Sequence, residues 1–170
     1  AEGGAVVLVT SARAGEGKST VAALLARALA SHLEGDVLLV EAGLTAAVGV
    51  DKRAGAGLAG LLSGVPVDSL VQAGNAPGLW HLPRGDGYHA SQLFRAARLR
   101  DGLMPLRKRF PLTVIDGPEL AACGALLAQA DSNLLVVDAS RTPGPAVKAA
   151  LDNALAIARI GSERLAGVVL

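Results

Sequence analysis

With 170 residues, 51% of them hydrophobic and drawn mostly from Ala, Val and Leu, the chain supplies one hydrophobic core and excludes a second domain. A formal charge of +1 excludes a surface given over to nucleic acid. The single cysteine, Cys123, excludes an internal disulfide and a zinc site of its own, which fits a reducing compartment and a cytoplasmic location.

The elements follow in chain order. Ala5 to Thr10 (AVVLVT) is a short β-branched run, then a Gly-containing turn, then STVAALLARALASHL with helical spacing. Val37 to Glu41 (VLLVE) is a buried strand after the Gly35-Asp36 turn, which completes a βαβ unit and makes the first two strands parallel. Between Ala42 and Tyr88 only brief apolar pieces occur, with a short helix expected near Leu58 to Leu62 and a short strand around Leu79 to Leu82. Ser91 to Arg109 reads as a helix with Leu93, Ala96, Ala97 and Leu103 buried and Pro105 kinking or breaking it. Leu112 to Asp116 is a central strand, and Pro118 to Ala128 a helix with Pro and Glu in its first turn. Asn133 to Asp138 is a further strand, Pro145 to Ile160 an Ala-rich helix ended by Gly161, and Leu165 to Leu170 a closing strand. Apolar strands alternating with helices predict an α/β three-layer fold, a mostly parallel central sheet flanked by helices. No apolar stretch approaches the roughly 20 residues a membrane helix needs, and no signal-peptide pattern opens the chain.

The strongest chemical signal is the stretch from Ala12 to Ser19. Ala12-Arg13-Ala14-Gly15-Glu16-Gly17-Lys18-Ser19 has the Walker A spacing, with Ala in place of its first Gly, and it falls between a predicted strand and a predicted helix. Gly15 and Gly17 let successive backbone N–H groups converge on one anion, and the helix start adds its positive end. The expected nucleotide contacts are Ala14, Gly15, Glu16, Gly17, Lys18, Ser19 and Thr20. Lys18 reaches between the β- and γ-phosphates, Ser19 ligates magnesium, and Thr20 sits on the α-phosphate side. Asp116, at the end of an apolar strand, suits a Walker B carboxylate holding magnesium; capping of the next helix is its ordinary alternative. Arg141, after the strand containing Val136 and Val137, lies at the ligand-binding edge of such a sheet and is a candidate nucleotide contact. His32, His81 and His89 lack metal-ligand spacing and read as ordinary surface or core residues. Arg95, Arg98, Arg100, Arg107, Lys108 and Arg109 form a basic cluster, read as a solvated helix face rather than a partner contact. Arg13 reads equally as a loop residue in solvent and as a contact to phosphate or a neighbouring subunit.

SARAGEGKST, VLLVEAG, TVIDGP and NLLVVDASRT, in this order, resemble the cytoplasmic domain of the bacterial tyrosine kinases of capsule and exopolysaccharide export, relatives of the partition and division P-loop ATPases. The resemblance spans nearly the whole chain and implies a P-loop fold, ATP or ADP with Mg2+ as cofactors, and catalytic roles for Lys18, Asp116 and Glu41. It also implies homo-oligomerisation, a membrane protein of polysaccharide synthesis or export as partner, no nucleic acid, and a place at the inner face of the membrane through that partner or a missing segment. Residues 1–170 then form one P-loop nucleotide-binding domain, a trimmed cytoplasmic domain.

The chain also departs from the pattern. The second acidic motif of the family has two aspartates followed by Arg, where this chain has Glu41, Gly43 and Thr45. Tyr88 is its only tyrosine, so the self-phosphorylated tail is lacking, as are the adenine-holding Asn after the last strand and the assembly helix before the first. The altered acidic motif beside an intact P-loop leads to a catalytically degenerate, regulatory pseudokinase that retains ATP binding, while the missing tail, Asn and helix fit a trimmed domain. The alternatives are an active tyrosine kinase using Glu41 and Asp116, a slow positioning ATPase that dimerises across ATP, and a structural module without ligand.

Overall fold

A computed structural model describes residues 3–43, 55–86 and 96–169. Its strands are β1 (Ala5–Ser11), β2 (Val37–Glu41), β3 (Gln72–Ala73), β4 (Leu79–Leu82), β5 (Leu112–Asp116), β6 (Ser132–Val136) and β7 (Leu165–Val169). They form one sheet in the order β3-β4-β2-β5-β1-β6-β7, parallel throughout except where the short β3 runs antiparallel to β4. The helices are α1 (Lys18–His32), α2 (Gly57–Leu62), α3 (Ala96–Arg109), α4 (Gly124–Gln129) and α5 (Gly144–Ala158). This is the expected three-layer arrangement. β1 and β2 are parallel as anticipated but not adjacent, because β5 is inserted between them.

The period-two alternation of the strands divides the core. Val9, Leu39 and Val114 face α1, whose Ala22, Ala26 and Ala30 recur every fourth residue and let the helix lie close to the sheet. Leu8, Leu38 and Ile115 face the opposite way, onto Leu99, Leu103, Leu106 and Phe110 of the α3 segment and Leu126 and Leu127 of α4. Burial on both faces explains why the strands read as unbroken apolar runs.

Four sequence expectations need correction. α3 continues through Pro105, because the carbonyl that loses its partner is that of the exposed Asp101. The expected helix from Pro118 to Ala128 is instead an extended Pro118-Glu119 segment, a single 3-10 turn (Leu120–Ala122) and the short α4. β6 ends at Val136, leaving Asp138 in the following loop. α5 ends at Ala158, capped by Arg159 in the left-handed conformation (φ 56°), two residues before the Gly161 expected to stop it. Leu103 is buried as expected; Leu93 and Arg95 lie outside the described residues, as do Thr45, Tyr88 and His89, and Ala96 and Ala97 are described only in their backbone.

The basic residues of α3 divide by surroundings. Arg107 donates to the carbonyls of Gly4 and Gln129 and to Asp131, tying the chain start to the helix layer. Arg109 lies over the rings of Trp80 and Phe110 and pairs with Asp36 and Asp68. Arg98, Arg100 and Lys108 are exposed, as a solvated face requires.

Asp131 accepts from the Val6 backbone N–H at 2.7 Å and from Arg107 at 2.6 Å. Partial burial pushes its carboxyl up, but the Arg107 hydrogen bond, the Val6 N–H and the nearby guanidinium charges outweigh that, and its pKa falls below the usual 3.8. The pairing therefore contributes fully above pH 3.8 and is lost as pH falls through the lower folded value. The side chain is 44% exposed, so solvent screening holds its worth to the order of 1 kcal/mol. Asp131→Asn is expected to lower stability by about that amount at pH 7. Urea titrations across pH should show the deficit shrinking as acid protonates the wild-type carboxylate.

Candidate nucleotide site

The loop between β1 and α1 is held by its own side chains. Ser11 Oγ donates to the Arg13 carbonyl at 2.7 Å, and the Arg13 N–H donates to Glu16 Oε2 at 2.6 Å. Gly15 and Gly17 have φ of 80° and 88°, left-handed values that glycine takes without strain, and a Cβ on Gly17 would find nothing within 4 Å. Gly17 is also the N-cap of α1 and has no side chain to cap it. The first-turn amides of α1 are therefore available to an anion, with the helix dipole behind them.

The Glu16 side chain is engaged within the fold. It is 8% exposed. Besides Arg13 it accepts from the Thr142 hydroxyl at 2.5 Å and the Asp138 N–H at 3.3 Å, fastening the phosphate loop to the segment after β6. In that segment Asp138 accepts from the Ser140 N–H and hydroxyl, which lowers its pKa. Arg141 Nη1 then donates to the Gly15 carbonyl at 3.2 Å, which brings Arg141 against the phosphate loop. Ala14 and Thr20 are exposed at the loop and first helical turn.

Lys18 is 4% exposed, and its ammonium lies 3.3 Å from Glu119 Oε1. Glu119 was not among the residues expected from sequence. It reaches Lys18 because its backbone is extended (φ −62°, ψ 158°) rather than helical. The preceding Pro118 is anchored where its carbonyl accepts the Thr10 hydroxyl at 2.7 Å. Gly117 permits the close passage: its N–H donates to the Val9 carbonyl at 2.9 Å, and a Cβ there would meet Leu8 Cδ1 at 2.6 Å.

Asp116 ends β5 beside β1, the position required of a Walker B carboxylate. It is 2% exposed; burial pushes its pKa above the usual 3.8 against a Ser19 hydrogen bond and the Lys18 charge, with Glu41 and Glu119 adding repulsion. Its Oδ1 is buried without a hydrogen-bond partner among the described residues. A buried, unpartnered carboxylate oxygen near the Ser19 hydroxyl suits a hard cation such as Mg2+. The residues present thus fit both groups that the loop implies.

Glu41 stands level with Asp116 across the β2–β5 register. It does not approach the site alone, because His81 of β4 lies 3.3 Å from Glu41 Oε1, with both side chains largely buried. The His81 Nε2 makes no hydrogen bond among the described residues, so the contact with Glu41 is an approach only. His81 is thus a core residue, as expected of one alternative, but one facing an acid of the site. Gly43 leaves no carboxylate at the second position of the acidic motif; its carbonyl accepts from Arg84 at 3.2 Å. No cluster of three or more His, Cys, Asp or Glu side chains suited to a metal occurs among the described residues.

A P-loop between β1 and α1, a carboxylate on the adjacent parallel strand and a sheet covered on both faces define a P-loop nucleotide-binding fold. The chain is similar over 98% of its length to the kinase domain of VpsO, with 29% identity, a TM-score of 0.83 and 84% of that chain covered. The kinase domain of the Escherichia coli tyrosine kinase ETK matches at TM-score 0.82 and 19% identity over 98% of this chain and 66% of that one. The BceF tyrosine kinase domain matches at TM-score 0.73 and 24% identity over 96% and 68%. The resemblance to bacterial tyrosine kinase domains therefore extends to the fold, and ParA-family ATPases share that fold. An ATP complex of McdA and a Mycobacterium smegmatis cobyrinic acid a,c-diamide synthase with an ATP analogue and magnesium have it as well. No protein-family model and no curated protein matches the chain. No helix among the described residues is long and apolar enough to cross a membrane.

Two outcomes follow from this geometry. Glu16→Ala strips the acceptor from three donors, and urea unfolding should show a loss of about 2–4 kcal/mol. Cys123 is buried, its thiol contacting Thr10 and the Leu120 carbonyl, and burial pushes its pKa up to about 11. At pH 8 a thiol reagent should leave the native protein almost unmodified and label it fully once denatured.

Proposed function

We propose that the chain is a Mg2+-dependent ATP-binding domain of the bacterial tyrosine kinase type, acting as a nucleotide-dependent regulator with a weakened catalytic motif. The observation that carries this is the pairing of an uncapped α1 N-terminus and buried Lys18 with the unpartnered Asp116 Oδ1 beside Ser19. The amides of Gly15 to Ser19 take the phosphates, Lys18 meets the β- and γ-phosphates, and Ser19 and Asp116 hold the metal. Magnesium, when bound, neutralises phosphate charge. Arg141, anchored to the Gly15 carbonyl, supplies a positive charge above the loop. Ala14 and Thr20 complete the exposed rim.

The weakened catalytic motif rests on Gly43, which removes one carboxylate, and on Glu41, which faces His81 rather than an Arg. Phosphoryl transfer depends on charge placement more than on covalent chemistry, so such changes remove rate and spare binding. The similarity to the kinase domains supports a role in polysaccharide synthesis or export, as a cytoplasmic, self-associating domain that docks on a membrane protein. A second reading, an active tyrosine kinase or slow ATPase, draws on Glu41, which keeps a carboxylate level with Asp116.

Calorimetry with ATP and ADP, with and without Mg2+, tests the binding. The expected result is a micromolar affinity that Lys18→Ala lowers by about 100-fold or more, and a magnesium dependence that Asp116→Asn abolishes. Circular dichroism checks that the variants fold. A wild-type protein that binds neither nucleotide sinks the proposal, and rapid tyrosine phosphorylation that Glu41→Gln abolishes replaces the regulator with the kinase.

A further inference from the structure

We infer that Glu119 determines the site's discrimination between nucleoside diphosphates and triphosphates, an inference that rests on the ATP-site reading above. The phosphate loop surrounds an anion from one side with the amides that follow Gly15. Glu119 lies on the segment after β5, and its Oε1 is 3.3 Å from the Lys18 ammonium. The side chains are 5% and 19% exposed, so the contact is screened little by solvent.

Lys18 is the loop side chain assigned above to the β- and γ-phosphates, and its ammonium is already paired with Glu119. A diphosphate brings its β-phosphate alone to that pair. A triphosphate brings another anion to the Lys18 ammonium, where it must share or displace the carboxylate. Asp116 feels the same carboxylate as repulsion, so negative charge is already crowded at this end of the site. In a partly buried site like charges repel far more strongly than in water. Glu119 therefore weakens binding of the third phosphate more than binding of the first two.

The fold holds Glu119 in that place. Its backbone is extended, Pro118 is pinned by Thr10, and the Glu119 carbonyl accepts the Ala122 N–H at 2.8 Å to start the 3-10 turn. Glu119→Gln keeps the length and a hydrogen-bonding oxygen for Lys18 and removes only the charge. Glu119→Asp keeps the charge and withdraws it by one methylene.

Calorimetry of MgATP and MgADP binding to the wild-type chain and both variants tests the inference. Glu119→Gln is expected to raise ATP affinity by about ten-fold and to leave ADP affinity within about two-fold. Glu119→Asp should fall between the two in its ATP-to-ADP ratio. An unchanged ratio in Glu119→Gln, with nucleotides still bound, overturns the inference and reduces the Lys18–Glu119 contact to a folding interaction. Loss of ATP binding with ADP retained also overturns it, because the carboxylate would then assist the triphosphate. If none of the three proteins binds either nucleotide, the ATP-site reading fails and takes this inference with it.

Discussion

A lysine ammonium only 4% exposed has to be compensated, and much of the site's construction follows from that requirement. Lys18 is also the first residue of α1, where the helix dipole is positive, so the surroundings disfavour its charge twice over. Glu119 supplies the compensation, its Oε1 3.3 Å from the ammonium. The alanine stripe of α1, the parallel β1–β5 pairing and the extended Pro118-Glu119 segment can all be understood as the means of bringing those charges together.

The sheet positions the acids by register. Asp116 and Glu41 are level because β5 lies between β1 and β2, and His81 reaches Glu41 because β4 adds to the other side of β2. Negative charge is thereby concentrated at one strand edge, where burial pushes the Asp116 carboxyl upward. The Ser19 hydroxyl and the Lys18 charge pull it the other way.

The strands and the phosphate loop were legible in the sequence because their signals are local. An apolar run of five residues and a Gly-Glu-Gly-Lys-Ser turn do not depend on the rest of the chain to be recognised. Glu119 was illegible for the opposite reason. Pro followed by Glu is a favourable helix start, and the extended conformation prevails because of a hydroxyl 108 residues earlier, on Thr10. The role of the Glu16 side chain was hidden in the same way, since its partner Thr142 is 126 residues distant. The Glu41–His81 approach required the strand order, which no local pattern contains. Pro105 shows a local rule yielding to position, because a proline in a helix interior is tolerated where the freed carbonyl faces water.

The Glu16 carboxylate has a mechanical consequence. By accepting from Arg13, Asp138 and Thr142 together, it ties the phosphate loop to the segment after β6. Thr142 directly precedes Pro143, the N-cap of α5, and α5 carries Ile157, 63% exposed, toward its far end. The fold therefore runs a continuous path from the phosphate loop through Thr142 to the 15-residue α5, which ends near an apolar side chain in solvent.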